Sequence, residues 1–195
     1  SNRNTAVGSA TLAVFNVTTD THTYNTALGY GAGNAVTSGI NNTLVGGLVG
    51  DALTDADDNT AMGRGALSTD TLGSKSTAIG RNALTTQNFT TATDSHNTAV
   101  GYQAGLEVTT ATENVLIGGL AGDALTNGGQ NVAVGHAALS AEDGHGQNVA
   151  IGYLALNAQN AGATAYNTAV GASAGAAVTT GVRNVLVGGL AGDAL

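Results

Sequence analysis

The sequence predicts an all-β parallel solenoid of eleven coils with about 17 residues in each coil. Three observations support this fold class. A five-residue block, Asn-Thr/Val-Ala/Leu-aliphatic-Gly, recurs eleven times, and seven of the ten steps between copies are 17 residues. Thr and Val alternate with Ala inside the block, which is the period-two pattern of a strand. So short a strand cannot bury a face alone, so we expect the copies to stack into one continuous sheet.

Asn opens ten of the eleven blocks, and Gly closes all of them. We expect Asn to form a corner, because it tolerates left-handed backbone, and to build a ladder when stacked in register. Gly should end the strand with a bend that a side chain would obstruct. The predicted corner residues are Asn4, Asn25, Asn42, Asn59, Asn97, Asn114, Asn131, Asn148, Asn167 and Asn184, with Ser76 in the eleventh block, and Gly8, Gly29, Gly46, Gly63, Gly80, Gly101, Gly118, Gly135, Gly152, Gly171 and Gly188.

A longer rhythm groups the coils in fours. The ninth residue, counted from the start of each block, reads Leu, Gly, Gly, Leu in rotation, which defines units that begin at residues 25, 97 and 167. The three coils longer than 17 residues are all fourth coils, so their extra residues are expected to form exposed loops. Residues 1–195 are interpreted as a single repeat array. Because no polar cap is recognisable, the array is expected to be a fragment of a longer fibre.

The alternation inside each block predicts which side chains face the interior. The second residue (Thr or Val) and the fourth (Val, Leu, Ile or Met) are expected inside. The third, which is Ala except at Leu44, Leu116 and Leu186, is expected outside. Such small residues imply a thin coil, with two short strands in each, and eleven coils would span roughly 50 Å. An outward row of Ala and Leu needs a partner, which predicts a homo-oligomer.

Composition excludes several classes of function. The net charge is −8 with only five Lys and Arg, which repels nucleic acid. No apolar run approaches the length of a membrane span, so no membrane insertion is expected in this segment. The chain has no Cys, which leaves the redox compartment open. With 30 Gly and 4% aromatic residues, an ordinary thick core would be poorly filled.

The stretch "NTAVGYQAGLEVTTATENVLIG" at 97–118 resembles the YadA-like head repeats of trimeric autotransporter adhesins. It is most similar to the 17-residue form of that repeat found in phage tail fibres and bacterial surface fibres. The resemblance covers essentially the whole chain. It implies a left-handed β-roll, a parallel homotrimer and an extracellular location in a cell-surface appendage, a secreted filament or a virion tail fibre. The chain departs from the adhesin pattern in its longer coils and in its extended fourth coils.

The motif "GGLAGDAL" at 118–125 and 188–195, with a near copy at 46–53, resembles a calcium-binding nonapeptide. Its acidic residue recurs only once per four-coil unit, as Asp51, Asp123 and Asp193. A lone carboxylate is a poor calcium site, because calcium takes six to eight oxygen ligands. A phosphate loop would require a Gly-Lys-Ser/Thr ending, which is missing. The motif is therefore predicted to be a tight corner in which Asp accepts backbone N–H bonds, with no metal bound.

Other polar residues offer weaker candidate sites. His22 and His96 occupy matching places near the ends of long coils, where in a trimer they would either meet at the axis and bind an ion or remain exposed without a ligand. His136 and His145 are the other two histidines. The acidic run at 55–58 is interpreted as a solvated turn. No Cys nucleophile exists and no Ser-His-Asp grouping stands out, so we expect neither a catalytic site nor a cofactor.

The fourth-coil loops carry the candidate recognition residues Phe15, Tyr24, Phe89 and Tyr166. Aromatic residues in exposed loops suit carbohydrate or protein recognition. The favoured alternative is that they pack over a corner or a neighbouring chain. Glycosylation sequons occur at Asn16, Asn88 and Asn41, and the first two fall at the same repeat position.

Together these features predict a structural segment of an extracellular fibre, not an enzyme, with adhesive loops for a cell-surface glycan or protein receptor. Two alternatives remain open. A tailspike-type shaft that degrades polysaccharide would need paired carboxylates across a groove. An ice-binding solenoid would need a flat Thr ladder on consecutive coils, whereas "VTT" recurs mainly in first coils, at 108–110 and 178–180.

Overall fold

The computed structural model describes residues 3–17 and 22–194, in which every regular element is a strand. Eleven strands of three residues supply one strand per coil, and two strands of two residues, β5 and β7, stand apart. The strands are β1 Thr5–Val7, β2 Thr26–Leu28, β3 Thr43–Val45, β4 Thr60–Met62, β5 Gly73–Ser74, β6 Thr77–Ile79, β7 Thr93–Asp94, β8 Thr98–Val100, β9 Val115–Ile117, β10 Val132–Val134, β11 Val149–Ile151, β12 Thr168–Val170 and β13 Val185–Val187.

One parallel sheet runs through all eleven coils, in the order β1-β2-β3-β4-β6-β8-β9-β10-β11-β12-β13. Neighbouring strands pair residue for residue at the same block position, as in Ala99 with Leu116. The small sheet pairs β5 with β7 and joins the third coil to the extended fourth coil of the first unit. These data confirm the parallel β-solenoid. The prediction of two strands in every coil is wrong, because a second strand forms only in those two coils of the described chain.

The predicted orientation of the strand side chains is also wrong, and the true orientation is the reverse. The third residue of the block faces inward, and Ala99, Leu116 and Ala133 are fully buried. The fourth residue faces outward, with Met62 45% and Ile117 39% exposed. The interior is too thin for two β-branched side chains per strand, so Ala, or one Leu in four coils, fills it. The exposed apolar surface is therefore the outer face of the strands.

The four-coil rhythm reflects the packing of inward Leu side chains against Gly residues at the ninth coil position. Leu116 lies at the third block position of a second coil, and both its own coil and the preceding first coil carry Gly at the ninth position. A Cβ added to Gly105 would lie 2.8 Å from Leu116 Cδ1, and one added to Gly122 would lie 2.8 Å from Leu116 Cδ2. Leu44 stands in the same relation to Gly33 and Gly50. The leucines of second coils therefore occupy the space that those glycines leave.

Corner Asn residues form the predicted ladder, and almost all of it is buried. Asn97 Oδ1 accepts the backbone N–H of Asn114 at 3.0 Å, and Asn114 Oδ1 accepts that of Asn131 at 2.9 Å. In seven of the ten corner Asn residues Nδ2 also donates to a carbonyl on the far side of the same coil, as Asn97 does to Ala111 O at 2.7 Å. These amides bind their own coil internally and also bind the next coil.

The left-handed backbone expected at the corner Asn lies one residue earlier. All eleven residues that precede a block have φ between 41° and 65°, and none of them is Gly. Their side chains form an exposed column beside the Asn ladder. The ladder residues themselves, such as Asn25, do not have left-handed backbone. The preceding residues are Arg3, Tyr24, Asn41, Asp58, Lys75, His96, Glu113, Gln130, Gln147, Tyr166 and Arg183.

Replacing a block-closing Gly should destabilise the solenoid strongly. Gly101 has φ +144, and an added Cβ would lie 2.4 Å from Gly118 O, which is backbone. We expect Gly101→Ala to lower the free energy of unfolding by at least about 2 kcal/mol, measured by urea denaturation. Gly119→Ala is the matched control, since its Cβ would meet nothing closer than His136 Cδ2 at 3.5 Å. Equal stability of the two variants would contradict the proposed constraint.

Replacing one amide of the ladder tests whether both of its hydrogen-bonding groups matter. Asn114→Asp keeps the shape of the side chain but loses the Nδ2 donor that serves Asn97 Oδ1 and Gly128 O. A buried carboxylate facing two acceptor oxygens should cost about 3 kcal/mol of unfolding free energy. Asn127→Asp, at an exposed site in the same coil, should change stability by less than about 0.5 kcal/mol. Thermal unfolding followed by circular dichroism measures both, and similar losses would refute the ladder's role.

Candidate functional site

Extended fourth coils are anchored by a buried acid and a buried amide. The twelfth residue of each coil faces the core, and in first and second coils it is aliphatic, as in Val36, Leu53, Val108, Leu125 and Val178. In both complete units it is instead an acidic residue in the third coil and Gln in the fourth coil. These pairs are Asp70 with Gln87 and Glu142 with Gln159, and all four side chains are fully buried.

Asp70 joins the third coil of the first unit to the extended loop that follows. Its Oδ1 accepts the backbone N–H groups of Gly73 and Phe89, each at 3.0 Å, and its Oδ2 accepts Gln87 Nε2 at 2.6 Å. Gln87 Oε1 in turn accepts Asn97 Nδ2 at 2.9 Å. The carboxylate is thereby satisfied by N–H donors alone, and the loop is fixed to the Asn ladder.

Glu142 has the same function in the second unit. Its Oε1 accepts His145 N at 3.1 Å and lies 3.2 Å from His145 Nδ1, while its Oε2 accepts Gln159 Nε2 at 3.2 Å. The ligand atoms of Glu142, Asp143 and His145 lie within 4.8 Å of one another, as in a metal site. Both Glu142 oxygens already accept N–H groups, so the arrangement is explained as a structural anchor. The polar interruption of the twelfth column is a signal in the sequence that could have revealed these pairs.

The four candidate recognition residues occupy different environments. Phe89 is buried, with 6% of its surface exposed, and Phe15 is half-buried against the core. Tyr24 and Tyr166 are about half exposed, but they belong to the exposed column before the Asn ladder. Arg3 covers the ring of Tyr24 at 5.8 Å and donates a hydrogen bond to its hydroxyl. The structure does not bring the four residues together.

A second row of exposed aromatic residues was not predicted from the sequence. It lies at the sixth coil position, directly after the block-closing Gly, and contains Tyr30, Tyr102 and Tyr153. These side chains are 64%, 49% and 56% exposed. Arg81 lies over the ring of Tyr102 at 5.7 Å, and His136 stacks on Tyr153 at 5.8 Å. Aligning the coils by the block-closing Gly would have shown this row.

The sequon residues differ in exposure. Asn16 and Asn41 are exposed, whereas Asn88 is half-buried and its Oδ1 accepts a hydrogen bond from Thr71 Oγ1 at 3.1 Å. The hydroxyl residue of the first sequon, at position 18, lies outside the described residues. Asn41 lies in the exposed column and donates to Asp58 Oδ1 at 3.0 Å.

The remaining polar candidates are on the surface. His22 is exposed and meets the Tyr24 ring edge-on at 5.8 Å, and His96 is exposed in the column before the ladder. In the acidic turn at 55–58, Asp57 is half-buried and its Oδ1 accepts the N–H of Ile40 at 2.8 Å. Burial raises the pKa of Asp57, and the neighbouring carboxylates raise it further. Asp57 therefore binds the turn to the preceding coil through Ile40, whereas the sequence predicted a turn that is only solvated.

Asp51 and Asp123, the acidic residues of the "GGLxGDAL" corners, have only part of the predicted hydrogen bonding. In both, Oδ1 is buried and accepts no hydrogen bond, and the backbone group that bonds each carboxyl is the residue's own N–H. Burial raises the pKa of both carboxyls, and Glu107 adds to the effect at Asp123. Asp193, the third equivalent, is exposed. These corners are locally unfavourable for a charged side chain.

A polar groove of about 390 Å³ opens along the flank of the second unit, which begins at Asn97. One wall is a ladder in the exposed column, in which Gln130 Nε2 donates to Glu113 Oε2 at 2.8 Å and Gln147 Nε2 donates to Gln130 Oε1 at 3.0 Å. Thr110, Thr112, Asn127, His145 and Thr164 also line it, together with Gly128, Gly129, Gly144 and Gly146. We call this feature the flank groove.

No protein-family model, curated protein or solved structure is significantly similar to the chain. The described residues include no helix that is long and apolar enough to cross a membrane. The fold and the surface geometry are therefore the observations from which a function can be argued.

Neutralising the two corner carboxylates should stabilise the protein at neutral pH. Because burial raises the pKa of Asp51 and Asp123, the folded state holds these protons to higher pH than the unfolded chain does. Their effect on stability is most favourable below the ordinary carboxyl pKa of 3.8, and this contribution is lost as pH rises through the folded-state pKa. The double variant Asp51→Asn, Asp123→Asn should therefore melt about 1–2 °C higher at pH 7, and the difference should shrink on acidification.

The control for this experiment is Asp143→Asn, which removes one exposed carboxylate from the same region. Its effect on the melting temperature should be small, because the side chain is exposed. Calorimetry at several pH values between 3 and 7, as a rough range, measures both variants. A double variant less stable than the parent protein at pH 7 would show that the carboxylates are favourable in the folded state.

Proposed function

We propose that this chain is a structural segment of an extracellular fibre that assembles as a homotrimer and presents adhesive surfaces along its length. The observation that carries the proposal is the outward aliphatic row, one residue from each coil at the fourth block position. The row consists of Val7, Leu28, Val45, Met62, Ile79, Val100, Ile117, Val134, Ile151, Val170 and Val187.

The outward aliphatic row favours contact with another protein surface. It runs without interruption over eleven coils, or roughly 50 Å at a strand spacing near 4.8 Å. Val7, Leu28 and Met62 are 55%, 47% and 45% exposed. Soluble monomers rarely expose a continuous apolar patch of this extent. A copy of the same chain offers a row with the same repeat, so a symmetric oligomer covers all copies at once. The resemblance to adhesin head repeats favours three chains.

An assembled fibre would display the same surface features several times. The extended fourth coils recur once per four-coil unit, and a trimer would multiply them threefold. Weak contacts with a cell-surface glycan or a protein receptor then act together, because each further contact is intramolecular once the first has formed. Under this proposal the activity is mechanical and multivalent. It involves no chemical step.

A second candidate function, ice binding, is favoured by one observation. The second block position is Thr in six consecutive coils, and the parallel pairing keeps them in register. Such an outward ladder is the feature that an ice-binding solenoid requires. The column consists of Thr5, Thr26, Thr43, Thr60, Thr77 and Thr98. Ice would need the same face that the homotrimer covers, so oligomeric state and thermal hysteresis together separate the two candidates.

The polysaccharide-degrading alternative has less support. Hydrolysis of a glycosidic bond uses two carboxyl groups that face each other across the substrate. Glu113 is the one carboxylate among the residues that line the flank groove. Release of reducing sugar from bacterial surface polysaccharide, measured with the whole chain, would favour this alternative over the fibre.

Placing charge in the outward aliphatic row should dissociate the oligomer. In light scattering after size exclusion, the protein should have three times the chain mass of 18.9 kDa. The double variant Ile117→Asp, Ile151→Asp should have the mass of one chain, because unpaired carboxylates would be buried in the interface. Its circular dichroism should be unchanged, since both side chains point away from the core.

The matched control is Asn127→Asp with Asn160→Asp, which adds the same charge at exposed positions outside the sheet face. It should leave the trimer mass unchanged. Electron micrographs of the parent protein should show rods of uniform width. A monomeric parent protein would overturn the proposal. The outer sheet face would then be uncovered, as the ice-binding alternative requires.

A further inference from the structure

We propose that the flank groove binds a linear, neutral oligosaccharide. This gives a partner class to the adhesive role and rests on the function proposed above. The groove is distinct from the fourth-coil aromatic residues that the sequence suggested for recognition, and it lies beside the ladder Glu113–Gln130–Gln147.

The groove lining excludes other common ligands by its charge. It contains no Lys or Arg, so a phosphate or another anion would have no cation to pair with. It contains one carboxylate, Glu113, whereas a calcium ion takes six to eight oxygen ligands. Nearly all of the lining is Gly, Thr, Asn, Gln and Glu, so an apolar ligand would gain little by burial. The ligand class that best fits this lining is a neutral molecule with many hydroxyl groups.

The ladder wall offers the donors and acceptors that sugar hydroxyls need. Each Gln Nε2 has two hydrogens, and the ladder uses one of them. Gln147 Oε1 accepts no hydrogen bond within the ladder, and Glu113 retains its second carboxylate oxygen. A carboxamide both donates and accepts, as a hydroxyl does. Because the three groups are linked in one direction, each hydrogen bond polarises the next.

The spacing of the ladder suits a polymer that lies along the solenoid axis. Glu113, Gln130 and Gln147 lie in consecutive coils, 17 residues apart, and stacked strands are about 4.8 Å apart. One residue of an extended chain of pyranose sugars is of similar length. The groove therefore presents one polar side chain per sugar residue over at least three residues.

Differences between the two units explain why the groove lies in the second. At the corresponding positions of the first unit, Asp57, Leu72 and Ser74 occupy the places of Gly129, Gly144 and Gly146. The Gly residues of the second unit carry no side chain, and at Gly129 and Gly146 an added Cβ would meet the backbone oxygens of Thr112 and Gly129. Gly144 tolerates a side chain best, because an added Cβ would meet only Asn127 Oδ1, at 3.0 Å. It is therefore the position at which the groove can be filled.

The test uses the whole chain and six-residue oligomers of β-linked glucose, β-linked N-acetylglucosamine and β-linked mannose as probes. Saturation-transfer NMR detects contact, and titration calorimetry measures affinity. We expect at least one probe to bind with a Kd of about 1 mM or tighter. Gly144→Leu, which fills the groove, and Gln130→Ala, which breaks the ladder, should each weaken that binding at least about tenfold. Hexagalacturonate and calcium chloride alone should not bind there.

The matched control is Asn41→Ala, which breaks the equivalent contact with Asp58 in the exposed column of the first unit. It should bind sugar as the parent protein does. Circular dichroism of each variant must match the parent protein, and Gln130→Ala remains informative if Gly144→Leu does not fold. Absence of contact with all neutral probes, binding that both groove variants retain, or a preference for the anionic probe or calcium would overturn the inference.

The mass measured on the same samples separates this inference from the proposed function. A trimer that binds none of the sugars overturns the sugar site and leaves the fibre intact. A monomer that binds sugar, and loses binding in both groove variants, overturns the fibre proposal and supports the groove.

Discussion

The buried Asn ladder is the interaction on which the rest of this solenoid depends. The backbone N–H of a corner residue has no partner within its own coil, and the Oδ1 of the Asn in the preceding coil accepts it, as Asn97 does for Asn114. The amide Nδ2 closes the coil by donating to a carbonyl 14 residues later. Because an unpaired buried polar group costs about 1–3 kcal/mol, a slip of one residue would break both contacts in every coil. The ladder thereby sets the register and the 17-residue period.

Register in turn determines which side chains fit inside. A coil closed by one amide is thin, so the inward position of the strand holds Ala. Leu44 or Leu116 fits there only because its own coil and the preceding coil have Gly at the ninth position. The larger aliphatic residues are consequently forced to the outer face. An apolar stripe therefore remains exposed, because the narrow interior has no room for these side chains. The exposed aliphatic stripe is thus a result of how the coil closes.

The sequence predicted the repeat, the parallel stacking and the amide ladder, because each depends on spacing alone. It did not predict the strand orientation, since Ala and Val alternate in both orientations and only the width of the coil decides between them. The buried pairs at Asp70 and Glu142 interrupt an aliphatic column and were visible in the sequence. The flank groove was less visible, because it depends on Gly residues that elsewhere in the chain are simply corners.

The extended fourth coils show how the ladder accommodates inserted residues. In the 21-residue coil that begins at Ser76, the corner residue is Ser and not Asn, and Ser95 Oγ accepts the N–H of Asn97 at 3.4 Å. In the 19-residue coil, Asn148 Nδ2 is buried without a partner. In both coils the twelfth-position Gln restores a contact, by accepting the Nδ2 of the next corner Asn. The acid before it holds that Gln in place. Insertions are therefore tolerated where side chains replace the ladder, so loop length can vary there without shifting the register of later coils.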